Sequence, residues 1–175
     1  MAYVAPTIRS AGDAVTAADY NIMANNAIAL RAVDANVQST FVNSVSFSTS
    51  SASFVDLTGL SVTITPSTNT SKILIFWKLL GHNANNVWRV RLLRGATAIS
   101  EANDGTSGLT TINSDGTTGG VNVSGNFLDS PATTSATTYK IQVSTAGSGT
   151  LWINRRVADI SYQGSCVLTV MEVLA

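Results

Sequence analysis

Side chains able to act as nucleophile, base or metal ligand are few in this chain. His82 is the single histidine and Cys166 the single cysteine. A hydrolase needs a nucleophile, a base and a group that orients the base. No Gly-x-Ser-x-Gly elbow or His-Glu-x-x-His helix marks such a set. One histidine and one cysteine cannot build a structural zinc centre within one chain. In a three-fold assembly, copies of His82 could meet a metal on the axis. Asp104 and Asp115 stand apart and each precedes a glycine, so they read as Asp-Gly turns and not as a calcium loop. The expectation is a protein that is not an enzyme and needs no cofactor or metal.

The arginines are the strongest charged feature. Arg89, Arg91 and Arg94 fall on one strand pattern and its end, and Arg155-Arg156 on another. They could recognise phosphate or an acidic sugar. The plainer reading is a polar sheet face paired with carboxylates across a subunit boundary, with Asp129, Asp159 and Glu172 as partners. Trp77, Trp88 and Trp152 all lie in strand patterns, where packing comes before sugar stacking. His82, Trp88, Arg89, Arg91 and Arg155 are therefore the candidate ligand or interface residues. Ten basic and ten acidic residues give zero net charge, and no phosphate-tracking groove, hence no nucleic-acid partner, is expected.

The elements that must position these residues are mostly strands. From Thr40 onward apolar residues alternate: Ser61–Thr65 stops at Pro66, Val87–Leu92 sets Trp88, Val90 and Leu92 opposite the two arginines, and Tyr139–Val143 repeats the arrangement. Val167–Val173 reads as a largely apolar strand, with Cys166 beside it as a small buried hydrophobe. Further strands are expected at 41–47, 54–57, 72–80, 120–128 and 151–155. Thr58-Gly59, Asp115-Gly116 and Gly119-Gly120 read as turns, and Gly147-Ser148 as a hairpin tip. Residues 103–120 read as a long irregular loop, a solvated connection or a place for contact with a partner. The class is mainly β: an antiparallel sandwich of jelly-roll type, residues 40–175, preceded by an extended N-terminal arm and one α-helix within residues 1–39.

That N-terminal region has another texture. Pro6, Arg9, Gly12 and Asp13 suit an extended arm. Thr16 with Asp19 makes a capping-box variant, and alanines follow in number. Tyr20, Met23, Ala27, Leu30 and Val37 share one stripe of a helix of about five turns, with Ile22, Ala29 and Val33 on a second edge. Only 11% of residues are charged, about half the usual share. Little then opposes self-association, which favours burial against other subunits. The start of the chain lacks the basic region and apolar core of a signal peptide, and the longest apolar run, Ile73–Trp77, suits a buried strand and not a membrane span. A soluble product made in the cytoplasm is expected.

The string from Ala5 to Asn21, in which Gly12-Asp13 leads into the helix capped by Thr16, resembles the opening of many small bacteriophage virion proteins. Residues 54–66 (FVDLTGLSVTITP) resemble the first hairpin of a β-sandwich common in phage fibre and particle-surface proteins. Arg91–Gly95, Tyr139–Val143 and Leu168–Glu172 resemble later strands of that domain. The resemblance implies a homotrimeric jelly-roll knob on the virion surface, a capsid-decorating cement protein or a small tail-fibre or baseplate knob. It implies attachment to the major capsid protein or a tail component through the arm and helix, with Pro6, Arg9, Asp13, Tyr20, Asn21, Met23 and Leu30 as contacts. A host surface glycan is a further possible partner, and no membrane is involved. Extracellular trimeric signalling fits the same architecture but not the absence of a secretion signal.

Overall fold

The computed structural model describes residues 14, 16–31, 36–43, 47–83, 86–100, 108–114, 119–147, 149–156 and 163–174. The chain forms two compact units, Met1–Asn36 and Val37–Ala175.

The first unit contains helix α1, Ala17–Arg31. Its fifteen residues make about four turns, one fewer than the apolar spacing suggested. Thr16 N donates to Asp19 Oδ2 at 2.8 Å, and Asp19 N donates to Thr16 Oγ1 at 3.4 Å, so the capping box forms as expected. Val37, placed on the helix stripe by its spacing, instead opens the first strand, because Met171 offers it a β partner. The second unit accordingly begins three residues before Thr40.

Among the described residues that unit holds eleven strands: β1 (Val37–Val42), β2 (Ser48–Thr49), β3 (Val55–Ile64), β4 (Lys72–Asn83), β5 (Asn86–Arg94), β6 (Thr97–Ala98), β7 (Thr110–Ser114), β8 (Val121–Asp129), β9 (Thr137–Thr145), β10 (Leu151–Ile153) and β11 (Cys166–Val173). In one sheet β4 lies between β8 and β11, and β1 closes the row beyond β11, with β10 and β2 continuing at the far end of β4. In the other, β9 lies between β3 and β5, and β5 also pairs β7 and β6.

The eight long strands show how the chain is wound. In chain order the first pairs with the eighth (β1 with β11), the second with the seventh (β3 with β9), the third with the sixth (β4 with β8) and the fourth with the fifth (β5 with β7). A long hairpin rolled onto itself produces this nesting, which is the jelly roll. All the pairings are antiparallel, so each strand can bury one face and leave the other outside.

The core lies between the sheets. β4 contributes Ile73, Ile75, Trp77 and Leu79, and β11 contributes Leu168 and Val170. Opposite them stand Leu60, Val62 and Ile64 of β3, Trp88, Val90 and Leu92 of β5, and Tyr139, Ile141 and Val143 of β9. Each large apolar side chain buried there contributes roughly 1.5–3 kcal/mol relative to exposure. Gly81 belongs to this packing: a Cβ there would sit 2.6 Å from two ring carbons of Trp88.

Three sequence expectations change. Thr58-Gly59 does not close a hairpin, because both halves of β3 pair with β9 in the same direction. Between Asp56 and Ser61 five steps of β3 answer two steps of β9, and Gly59 (φ +83°) absorbs the excess as a bulge. Gly147-Ser148 does not join a hairpin either, since β9 and β10 belong to different sheets. The polar stretch 103–120 includes β7, held by its ladder to β5 and by the burial of Ile112.

Candidate interaction surfaces

A directly paired residue on a neighbouring strand points to the same face, so register alone maps the outside of each sheet. On the β3–β9–β5 sheet the outward positions are mostly polar, with Leu93 beside Lys140 the buried apolar one. Lys140 Nζ bonds Asp56 Oδ2 at 2.7 Å, Gln142 Nε2 bonds Asp56 Oδ1 at 2.6 Å, and Arg91 Nε bonds Gln142 Oε1 at 2.8 Å. Arg91 also lies over the Phe54 ring, 4.2 Å from its centre. Lys140, then Gln142, hold the Asp56 carboxyl below its ordinary pKa. The ladder crosses three strands and ends within the chain. Arg89 and Arg91 share this face, as their alternation predicts, opposite Ser144 and Gln142.

The outside of the β8–β4–β11–β1 sheet differs. Val37 pairs with Met171, Met171 with Leu74, and Leu74 with Leu128, so four apolar side chains form one transverse row. The next row runs Ser39, Thr169, Phe76 and Asn126, and a third Phe41, Val167, Lys78 and Ser124. Every exposed large hydrophobic side chain in a described strand (Val37, Phe41, Phe76, Leu128 and Val173) lies on this face, from 36% exposed at Val173 to 62% at Phe41. The described outward residues of these three rows carry no carboxylate; Lys78 stands in the third row at the middle of β4, and Lys72 opens the strand beside Val173.

At the Lys72 end the sheets are tied by charge. Arg94 Nη1 of β5 bonds both Asp129 oxygens of β8, at 2.9 and 3.0 Å, and Tyr139 OH of β9 donates to Asp129 Oδ2 at 2.7 Å. Asp129 is buried, and Tyr139 fully so. Burial first, and the Asp129 bond second, push the Tyr139 phenol well above its ordinary pKa. Asp129 thus partners an arginine of its own chain. Glu172 accepts from Ser67, through its backbone N–H at 2.7 Å and its hydroxyl at 2.6 Å, and Asp159 lies outside the described residues.

At the other end of β11 the open edge between β1 and the β3 bulge encloses a cavity of about 480 Å³. Val42, Phe47, Leu57, Ile153 and Cys166 line it, with Phe41, Asn43 and Thr58. Asn154 (φ +62°) in its wall is engaged internally: it donates Nδ2–H to Val42 O at 2.9 Å and accepts Cys166 Sγ–H at Oδ1, 2.8 Å. Burial pushes the Cys166 thiol up to about 11, so it is a neutral thiol and not a ready nucleophile. A site of this size and lining suits a neutral, mainly apolar occupant.

The remaining sequence candidates disperse. Trp88 is fully buried against Gly81. His82, expected on a strand-end loop, is instead fully buried within β4, because pairing continues through Asn83 to β10. Its Nδ1 hydrogen-bonds the Gly119 carbonyl, which can only accept, so that nitrogen carries the proton. Its Nε2 has no hydrogen-bond partner among the described residues. Trp152 is the cross-strand neighbour of His82, and Arg155 stacks on the Trp152 ring at 3.7 Å. Tyr20, Asn21 and Met23 are exposed on α1, which also carries Leu30. Pro6, Arg9 and Asp13 lie outside the described residues.

Sequence reasoning passed over Asp56, Gln142, Phe41, Phe76 and Leu128. A signal for Phe76 existed. The unbroken run Ile73–Trp77 in a chain of antiparallel strands means that both faces of that strand are apolar, although only one can meet the core. Among the described residues no three histidine, cysteine, aspartate or glutamate side chains cluster as a metal site, and no helix is long and apolar enough to cross a membrane. No family model matches the sequence, and no curated protein matches it.

Proposed function

We propose that this chain is a bacteriophage virion structural protein, a homotrimeric knob anchored by its N-terminal arm and helix and decorating or cementing the capsid. The observation that carries the reading is the two-unit build: a short helical unit leads into a jelly roll with its own complete core. One part suits attachment and the other display. The low charge and the resemblance of residues 5–21 and 54–66 to phage surface proteins support the same reading. On this reading the protein works by burying surface and carries out no reaction. Particles lacking it should lose resistance to heat and low salt, and equal resistance would overturn the cement role. Removing residues 1–38 should leave a folded trimer that no longer enters particles; a monomer would show that the N-terminal unit carries assembly instead.

The second reading, a tail-fibre or baseplate knob that binds a host receptor or glycan, draws on the cavity at the β1–β3 edge with Phe41 and Phe47 in its wall. Purified protein should then compete with phage for adsorption to host cells, and failure to compete would remove this reading.

A further inference from the structure

We propose that the cavity between the β1 edge and the β3 bulge is a binding site for a small uncharged amphiphile, a molecule with a hydrocarbon body and one hydroxyl or amide end. The inference goes beyond both readings of the knob, since it needs neither a particle nor a host cell.

Three observations carry it. The first is continuity with the core. Leu57, Ile153 and Cys166 line the cavity and are buried members of the core cluster, and Val42 and Phe47 pack against that cluster. Protein interiors are close-packed, with few voids larger than a water molecule. A space of about 480 Å³ opening into the end of such a core lies far outside that tolerance, and inside the range of ligand pockets, roughly 300–1,000 Å³.

The second is the order of side chains from floor to mouth. The buried lining is apolar apart from Asn154, whose amide bonds Val42 O and the Cys166 thiol. The exposed lining residues include Phe41, Asn43 and Thr58, so a ring, an amide and a hydroxyl stand at the mouth. A hydrocarbon chain can lie inside while its polar end exchanges hydrogen bonds with Asn43 and Thr58. Phe41, 62% exposed in the empty chain, is covered in the same step.

The third is charge. None of the ten described lining residues is charged. A carboxylate or ammonium group would lose water there without gaining an ion pair, so the occupant is neutral. The volume also exceeds what one side chain of a partner protein fills, which favours a free molecule over a docked residue.

The test uses the full chain and the neutral fluorophore N-phenylnaphthylamine, displaced by straight-chain alcohols. From n-butanol to n-octanol each added methylene should tighten displacement about four-fold, the gain from burying one CH₂. Octanoate, with a similar chain but a charge, should displace roughly ten-fold more weakly than n-octanol. Thr58→Trp, which sets a ring across the mouth, should remove most of the displaceable signal. Phe76→Ser with Leu128→Ser, on the outer apolar face, should leave it unchanged. Loss in the Phe76/Leu128 variant with retention in Thr58→Trp would place the fluorophore on that face and overturn the site. Equal displacement by n-octanol and octanoate would overturn the neutral ligand, and stronger displacement by N-acetyltryptophanamide would assign the cavity to a docked protein residue. If Thr58→Trp does not fold, alkylation of Cys166 by iodoacetamide in the wild type decides: n-octanol should slow it several-fold, and an unchanged rate would overturn the site. Failure of every alcohol to displace the fluorophore would also overturn it, and would leave the adsorption test of the host-receptor reading standing.

Discussion

The two outer faces of the sandwich belong to sheets of the same kind, yet they end their side chains differently. On the β3–β9–β5 side Asp56, Gln142, Arg91 and Lys140 bond one another in a ladder. On the β8–β4–β11–β1 side Val37, Met171, Leu74 and Leu128 line up with no such closure. Side chains bonded in a ladder gain little from a further contact, whereas a row of half-exposed apolar side chains gains most when something covers it. The difference lies in outward positions only, because inward positions on both sheets are equally apolar. Fold and interaction are thus written on alternate residues of the same strands.

The largest expected effect tests whether the two sheets are independent enough to compare. Asp129→Ala removes the tie between them, leaving the buried Tyr139 hydroxyl without its acceptor. It should cost about 3 kcal/mol, read as a lower denaturant midpoint. Asp129→Asn keeps an acceptor and should cost less. Gly81→Ala drives a methyl group into the Trp88 ring and should cost about 1–3 kcal/mol. Its damage should reach both faces through the shared core, so that association and stability fall together.

Alkaline pH probes the edge where the apolar face meets the cavity. The folded Cys166 thiol is raised from 9.0 to about 11, so the unfolded chain releases its proton first. The stability tied to the neutral thiol is complete below pH 9 and is lost as pH rises through about 11. Comparing wild type with Cys166→Ala over that window should show a steeper decline in the wild type, on the order of 2 kcal/mol. The smallest effect belongs to the polar face. Asp56 is exposed, so Asp56→Ala should cost less than about 1 kcal/mol and leave the subunit mass unchanged. Its lowered pKa means that the ladder's contribution is present above the ordinary carboxylate range and fades as the pH falls through the lowered value. A large change in mass for this variant would abolish the distinction between the faces.

Much of the sandwich was legible because alternation is local. Trp88, Val90 and Leu92 could be set against Arg89 and Arg91 from five consecutive residues, and Thr16 with Asp19 announced the helix start. What could not be read depends on distant partners. Thr58-Gly59 has the composition of a turn, and only the shared pairing with β9 makes it a bulge. β7 lies in a stretch of glycine, serine and threonine where no apolar run announces it, and it exists because β5 offers an edge. His82 follows a glycine near the end of a run, and its burial is decided by β10 and Gly119. Pro6, Arg9 and Asp13, to which the resemblance assigns attachment, lie outside the described residues.

The nesting of first strand with eighth has a consequence in time. β11 sits between β1 and β4, and Ser39 meets Thr169 across a separation of 130 residues. Contacts of such separation form slowly, because the loop they close must be ordered before they return anything. During synthesis β1 waits for β11, the last of the described strands, and until it arrives β1 has no partner in the sheet and the outer apolar row stops at Leu74. The outer apolar row is therefore completed only on a finished β unit, so an incomplete chain does not present it.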